Sequence, residues 1–100
     1  MQTITILGST GSIGTNTIKV LQSYKNKFKV AALTGRSNIK LLAKQAMELQ
    51  PELVVTSEES LYTELKNQLS GSGIRVEAGD DAVVEAATLQ SDIVMSAIVG

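Results

Sequence analysis

Three glycines, Gly8, Gly11 and Gly14, recur at three-residue intervals in ITILGSTGSIGTNTI (residues 4–18), with Ser9, Thr10 and Ser12 set between them. Glycines and hydroxyls behind an apolar run form a cradle for an anion. The first glycine permits a tight turn, the second lets backbone approach a pyrophosphate, and the third lets a helix pack closely on a strand. Free N–H groups and the positive dipole end of that helix then face the phosphates. The same residues would also suit a glycine-rich turn with no ligand. G-x-x-G-x-x-G is one residue longer than G-x-G-x-x-G, and it is not a Walker A loop, because the interval differs and no Lys follows Gly14.

A second group narrows the ligand. Sites for NAD place Asp or Glu about 20 residues past the glycines, to bind the ribose 2′-hydroxyl. Here that segment reads Leu33-Thr34-Gly35-Arg36-Ser37-Asn38, with no carboxylate. Arg36 offers a guanidinium, and Ser37 and Asn38 offer polar groups, which is chemistry for a 2′-phosphate. Taken singly, Arg36 also reads as an exposed loop arginine and Asn38 as a helix cap. Taken together with the missing acid, they favour NADPH over NADH. The third group is Ser96-Ala97-Ile98-Val99-Gly100, small and apolar residues at a strand end that would border the cofactor crevice or fill the core.

The elements that must position these groups alternate between strands and helices. Residues 3–8 form a β-branched first strand. Ile13, Thr17, Val20 or Leu21, and Tyr24 then mark one face of an amphipathic helix ending in the basic YKNKFK. Residues 28–33 form a second strand. Asn38 caps a helix through Leu49 with Ile39, Leu42, Ala46 and Leu49 on one face, stopped by Pro51. Residues 53–56 form a third strand, and Ser57 opens a helix carrying Leu61, Leu65 and Leu69. A fourth strand covers 74–78, Asp80 caps a short helix through Leu89, and a fifth strand covers 92–99. Such alternation implies right-handed crossovers and a Rossmann-like, doubly wound α/β sheet of about five strands, mainly parallel, with helices on both faces. Met47 and Met95 read as core, and Tyr24 and Tyr62 as half-buried packing.

Composition sets outer bounds. The chain has 100 residues, 43% hydrophobic and 19% charged, which is ordinary for one small globular domain. A net charge of −1 gives no electrostatic footprint for nucleic acid or an anionic membrane, and no apolar run approaches a bilayer span. With no Cys and no His, there are no disulfides, none of the usual transition-metal ligands and none of the commonest general base. The expected compartment is the cytoplasm. The strand pattern DIVMSAIVG runs to the last residue, so the expectation is a domain over 1–100 taken from a longer protein.

These blocks, TILGSTGSIGTNTI, FKVAALTGRSN and DIVMSAIVG in that order, closely resemble the N-terminal domain of the 1-deoxy-D-xylulose 5-phosphate reductoisomerase family. LGSTGSIG is the most specific of them. The resemblance implies an NADPH-dependent oxidoreductase of non-mevalonate isoprenoid synthesis, which isomerises and reduces deoxyxylulose phosphate to methylerythritol phosphate. It further implies Mg²⁺ or Mn²⁺ and a homodimer. Carried onto this sequence, Thr10, Gly11, Ser12 and Ile13 would meet the pyrophosphate, and Gly35, Arg36, Ser37 and Asn38 the 2′-phosphate. The family's metal ligands and catalytic groups lie beyond Gly100, so this chain alone is expected not to turn over substrate. Two other readings stay open at this point: the cofactor domain of another NADP-dependent reductase, and a non-catalytic nucleotide-sensing module.

Overall fold

The computed structural model describes residues 2–24, 26–89 and 91–97. Among the described residues, ten short elements follow one another along the chain. They are β1 (Gln2–Leu7), α1 (Ser12–Gln22), β2 (Phe28–Gly35), α2 (Ile39–Leu49), β3 (Leu53–Thr56), a 3₁₀ turn (Glu59–Leu61), α3 (Tyr62–Gln68), β4 (Arg75–Ala78), α4 (Asp80–Ala87) and β5 (Ile93–Ser96). The strands form one parallel sheet in the order β4-β3-β2-β1-β5. The Rossmann-like α/β expectation therefore holds.

The core forms two layers around that sheet. On one face, Ile18 and Leu21 of α1, Leu42 and Ala46 of α2, and Leu65 of α3 pack on Ile4, Ile6, Val30, Leu33, Val54 and Val76. On the other, Ala82 and Ala86 of α4 close on Ala32, Leu53 and Val55. All four β3 residues are buried, as its unbroken apolar run demands in a sheet covered on both sides. Three crossovers thus run over one face and the β4–β5 crossover over the other. The direction of winding reverses beside β1, between β2 and β5, and the carboxyl end of that position is where such sheets open a ligand crevice.

Several local expectations are corrected. The first helix buries Gly14, Ile18 and Leu21, while Ile13, Val20 and Tyr24 stay exposed. Gly14 pulls the helix onto the preceding loop and so turns the Ile18 side inward. Ser57 does not open a helix: the 3₁₀ turn intervenes and α3 begins at Tyr62. The cap of α4 is Gly79 (φ 102°), and Asp80 and Asp81 are acids of its first turn. A left-handed cap residue strongly favours glycine there. Met47 and Met95 are exposed rather than core, Met47 on the outer side of α2 and Met95 on an edge strand. Among the described residues β5 pairs only with β1, and Val94 and Met95 keep open flanks there despite their apolar run. The expected continuation of this strand through Ile98 and Val99 lies outside the described residues.

Candidate nucleotide crevice

The glycine loop is held by hydrogen bonds to its backbone from β2 and α2. Gly8 turns with φ of 80° and donates its N–H to both the carbonyl and the Oγ1 of Thr34, each at 3.0 Å. The Ser9 N–H donates to the same carbonyl at 2.8 Å, and the Gln45 Nε2 of α2 donates to the Ser9 carbonyl at 2.9 Å. Ser9 is fully buried. A Cβ on Gly14 would overlap the Gly8 carbonyl oxygen and stand 2.7 Å from Ser9 Cα, so the helix can lie this close only with glycine there. Gly11 differs. It has extended backbone (φ −74°), and a Cβ would meet only the Gly8 oxygen at an ordinary 3.7 Å. Neither strain nor packing demands it; its bareness faces the crevice.

Helix α1 starts at Gly11 without a side-chain cap and without an acid in its first turn. Among the described residues, the N–H groups of Thr10, Ser12 and Ile13 meet no acceptor. Helix starts leave such donors over, and uncapped they present positive potential to an incoming anion.

The end of β2 forms the opposite wall. Ser57 N–H donates to the Gly35 carbonyl at 3.0 Å, and the Thr56 hydroxyl donates to the Arg36 carbonyl at 2.6 Å. A Cβ on Gly35 would press between Leu42 and Thr10 at 3.1–3.3 Å, which keeps β2 against the glycine loop. The Arg36 backbone is thus held, while its side chain is 82% exposed and pairs with Glu58 at 3.5 Å. An exposed pair of this kind is weak enough to exchange for a better anion.

Between the walls lies a crevice of about 450 Å³. Of the residues singled out in the sequence, Gly8, Thr10, Gly11, Ser12, Gly35 and Arg36 line it, and Ala97 joins them from beyond β5. Ile13, Ser37 and Asn38 do not line it. Asn38 acts as the cap of α2, its Oδ1 accepting from the Leu41 N–H at 3.3 Å. Ile98, Val99 and Gly100, expected beside the cofactor, lie outside the described residues. Thr34, Ser57, Asp80 and Val83 also line the crevice, and none of them was assigned a binding role from sequence. They sit at the carboxyl ends of neighbouring strands or open α4, a placement that follows from strand order and not from residue type.

A groove of about 490 Å³ beside Tyr62, Lys66, Gly71 and Arg75 lies at the amino end of β4. Parallel sheets bind ligands at the other end, which sets the two openings apart. Among the described residues, no three His, Cys, Asp or Glu side chains gather where a metal ion could be held, and no helix is long and apolar enough to cross a membrane.

Known proteins share this sequence and fold. The family model for 1-deoxy-D-xylulose 5-phosphate reductoisomerase matches residues 4–100. The chain is 54% identical to the protein of that name from Sinorhizobium fredii over 99 residues, covering 97% of this chain and 25% of the relative. It is 46% identical over 100 residues to that of Rhodospirillum centenum, again covering 25% of the relative. Among solved structures, the reductoisomerase from Zymomonas mobilis in complex with NADPH superposes with a TM-score of 0.97 at 41% identity, over 99% of this chain and 26% of that one. A complex of such an enzyme with NADPH, fosmidomycin and magnesium superposes with a TM-score of 0.92 at 34% identity, over 100% of this chain and 25% of that one. The chain spans about a quarter of the length of the relatives it matches.

Proposed function

The chain belongs to the 1-deoxy-D-xylulose 5-phosphate reductoisomerase family, and from that membership we propose that residues 1–100 are the NADPH-holding domain of a longer enzyme. That enzyme would isomerise and reduce deoxyxylulose phosphate to methylerythritol phosphate, as a cytoplasmic homodimer. The single observation that carries the reading is the uncapped start of α1, where Thr10 and Ser12, with free N–H groups, line the crevice that Arg36 borders. The pyrophosphate would rest on the N–H groups of Thr10, Ser12 and Ile13, with Gly11 giving it room. Arg36 would leave Glu58 for the 2′-phosphate. A carboxylate in its place would repel that group, and the end of β2 carries none.

NADPH supplies a hydride when bound. This chain's own residues bind and orient the nucleotide; no general acid or base is assigned among them. The Mg²⁺ or Mn²⁺ that the family resemblance implies has no ligand cluster among the described residues.

Amide chemical shifts of the labelled protein test the site. On adding NADPH, the Thr10, Ser12, Ile13 and Arg36 amides are expected to move together. Shifts centred on the Gly71–Arg75 groove, or none, would overturn the assignment. The chain is also expected to show no reductoisomerase turnover by itself, and measurable turnover would contradict its role as a cofactor domain.

A further inference from the structure

Gln45 is an amide on the wrong side of its helix. On α2, the neighbours that share its burial are Ile39, Leu42, Ala43 and Ala46, and Gln45 is only 3% exposed. A buried amide is costly unless bonded. Its Nε2 is bonded, to the Ser9 carbonyl at 2.9 Å, 36 positions away in the chain. Its Oε1 has no partner, nor has the Ser9 hydroxyl, so both carry a desolvation cost. An apolar side chain would remove the orphaned Oε1 but would leave the buried Ser9 carbonyl without a donor.

We infer that Gln45 is a positioning residue for the pyrophosphate loop, aiming the Thr10 N–H into the crevice; the inference rests on the nucleotide reading above. The geometry follows from the peptide unit. Ser9 is held on both sides, its N–H by Thr34 of β2 and its C=O by Gln45 of α2. The described residues contain no cis peptide bond. In a trans peptide the C=O and the following N–H point in opposite directions. Drawing the Ser9 C=O inward to Gln45 therefore turns the Thr10 N–H outward. Thr10 lines the crevice, and its N–H has no acceptor among the described residues. Without the Gln45 amide, that peptide plane is free to rotate and the donor is lost from its station.

The test compares NADPH with adenosine 2′-monophosphate on the 100-residue chain and its Gln45→Met variant. Methionine keeps the length and flexibility of the side chain but cannot donate. NADPH affinity is expected to fall about tenfold, the scale of one hydrogen bond, while the 2′-monophosphate, which lacks the pyrophosphate, binds unchanged. Equal losses for both ligands, or no loss for either, would overturn the inference. Failure of the unsubstituted chain to bind NADPH would instead overturn the nucleotide reading itself. Should Gln45→Met not fold, the side-chain amide protons of Gln45 in the unsubstituted chain decide. They are expected to shift on adding NADPH and to stay in place with the 2′-monophosphate; movement with both ligands, or with neither, would overturn the role.

Discussion

The two walls of the crevice are built on different principles. The glycine loop is set through its own backbone: Gly8 by its positive φ, Ser9 by bonds to its N–H and its carbonyl, the latter from the Gln45 side chain, and Gly14 by a contact that leaves no room for a methyl group. The end of β2 is set by backbone only up to the Arg36 carbonyl, after which a long exposed side chain does the rest. On the proposed reading the first wall would hold the pyrophosphate, which both nicotinamide cofactors share, so its site can be rigid. The 2′-phosphate is the one group that distinguishes the two cofactors, and on the proposed reading the exposed guanidinium of Arg36 would meet it. The first wall should therefore fail through the fold, and the second through charge.

Gly14→Ala gives the largest effect. Its methyl group meets backbone, which cannot rotate away, and the loss of stability is expected to be about 3 kcal/mol, the upper end for overpacking. Urea denaturation measures it, and a loss well under 1 kcal/mol would mean that the helix does not need the close approach. Arg36→Ala comes next and should leave stability nearly untouched. NADPH binding should weaken by about 2 kcal/mol, the range for a hydrogen bond to a charged group, with NADH binding unchanged in parallel titrations. Weakening of both cofactors alike would place Arg36 at the shared part of the ligand.

Gly11→Ala separates packing from ligand access within the first wall. Stability should change by no more than about 0.5 kcal/mol, as at unconstrained positions, while NADPH affinity falls because the methyl group takes up ligand space. Calorimetry of the same variant reads both quantities. Glu58→Gln is the mildest, since an exposed pair contributes under about 0.5 kcal/mol. Its use is comparative: NADPH should bind slightly tighter once Arg36 has no competitor, and weaker binding would make Glu58 an orienting partner for the guanidinium.

Much of this is legible in the sequence, and the gaps have physical causes. Alternation of strand and helix patterns points to the sheet, and the spacing of Gly8, Gly11 and Gly14 locates the loop at its first strand–helix turn. The buried face of α1 is hidden because Gly14 contributes no hydrophobicity to any periodic pattern, yet it decides which side turns inward. Apolar residues at 13, 20 and 24 offer a rival stripe that the structure leaves exposed. β5 looks buried because its residues are apolar, whereas its burial depends on its place in the sheet, which strand order alone sets. Asn38 carries two readings, and the structure uses its side chain as a cap. Gln45 does leave a visible signal: a polar residue three positions beyond Leu42, inside an otherwise apolar helix face.

The difference between the two walls reduces to one titration. Thermal unfolding of the 100-residue chain should shift upward with NADPH and much less with an equal concentration of NADH, because linkage converts each ligand's affinity into stability. The gap should narrow as salt is raised, since an exposed Arg36–phosphate contact is screened. Equal shifts with both cofactors would contradict the role of Arg36, and no shift with either would contradict the crevice as a nucleotide site.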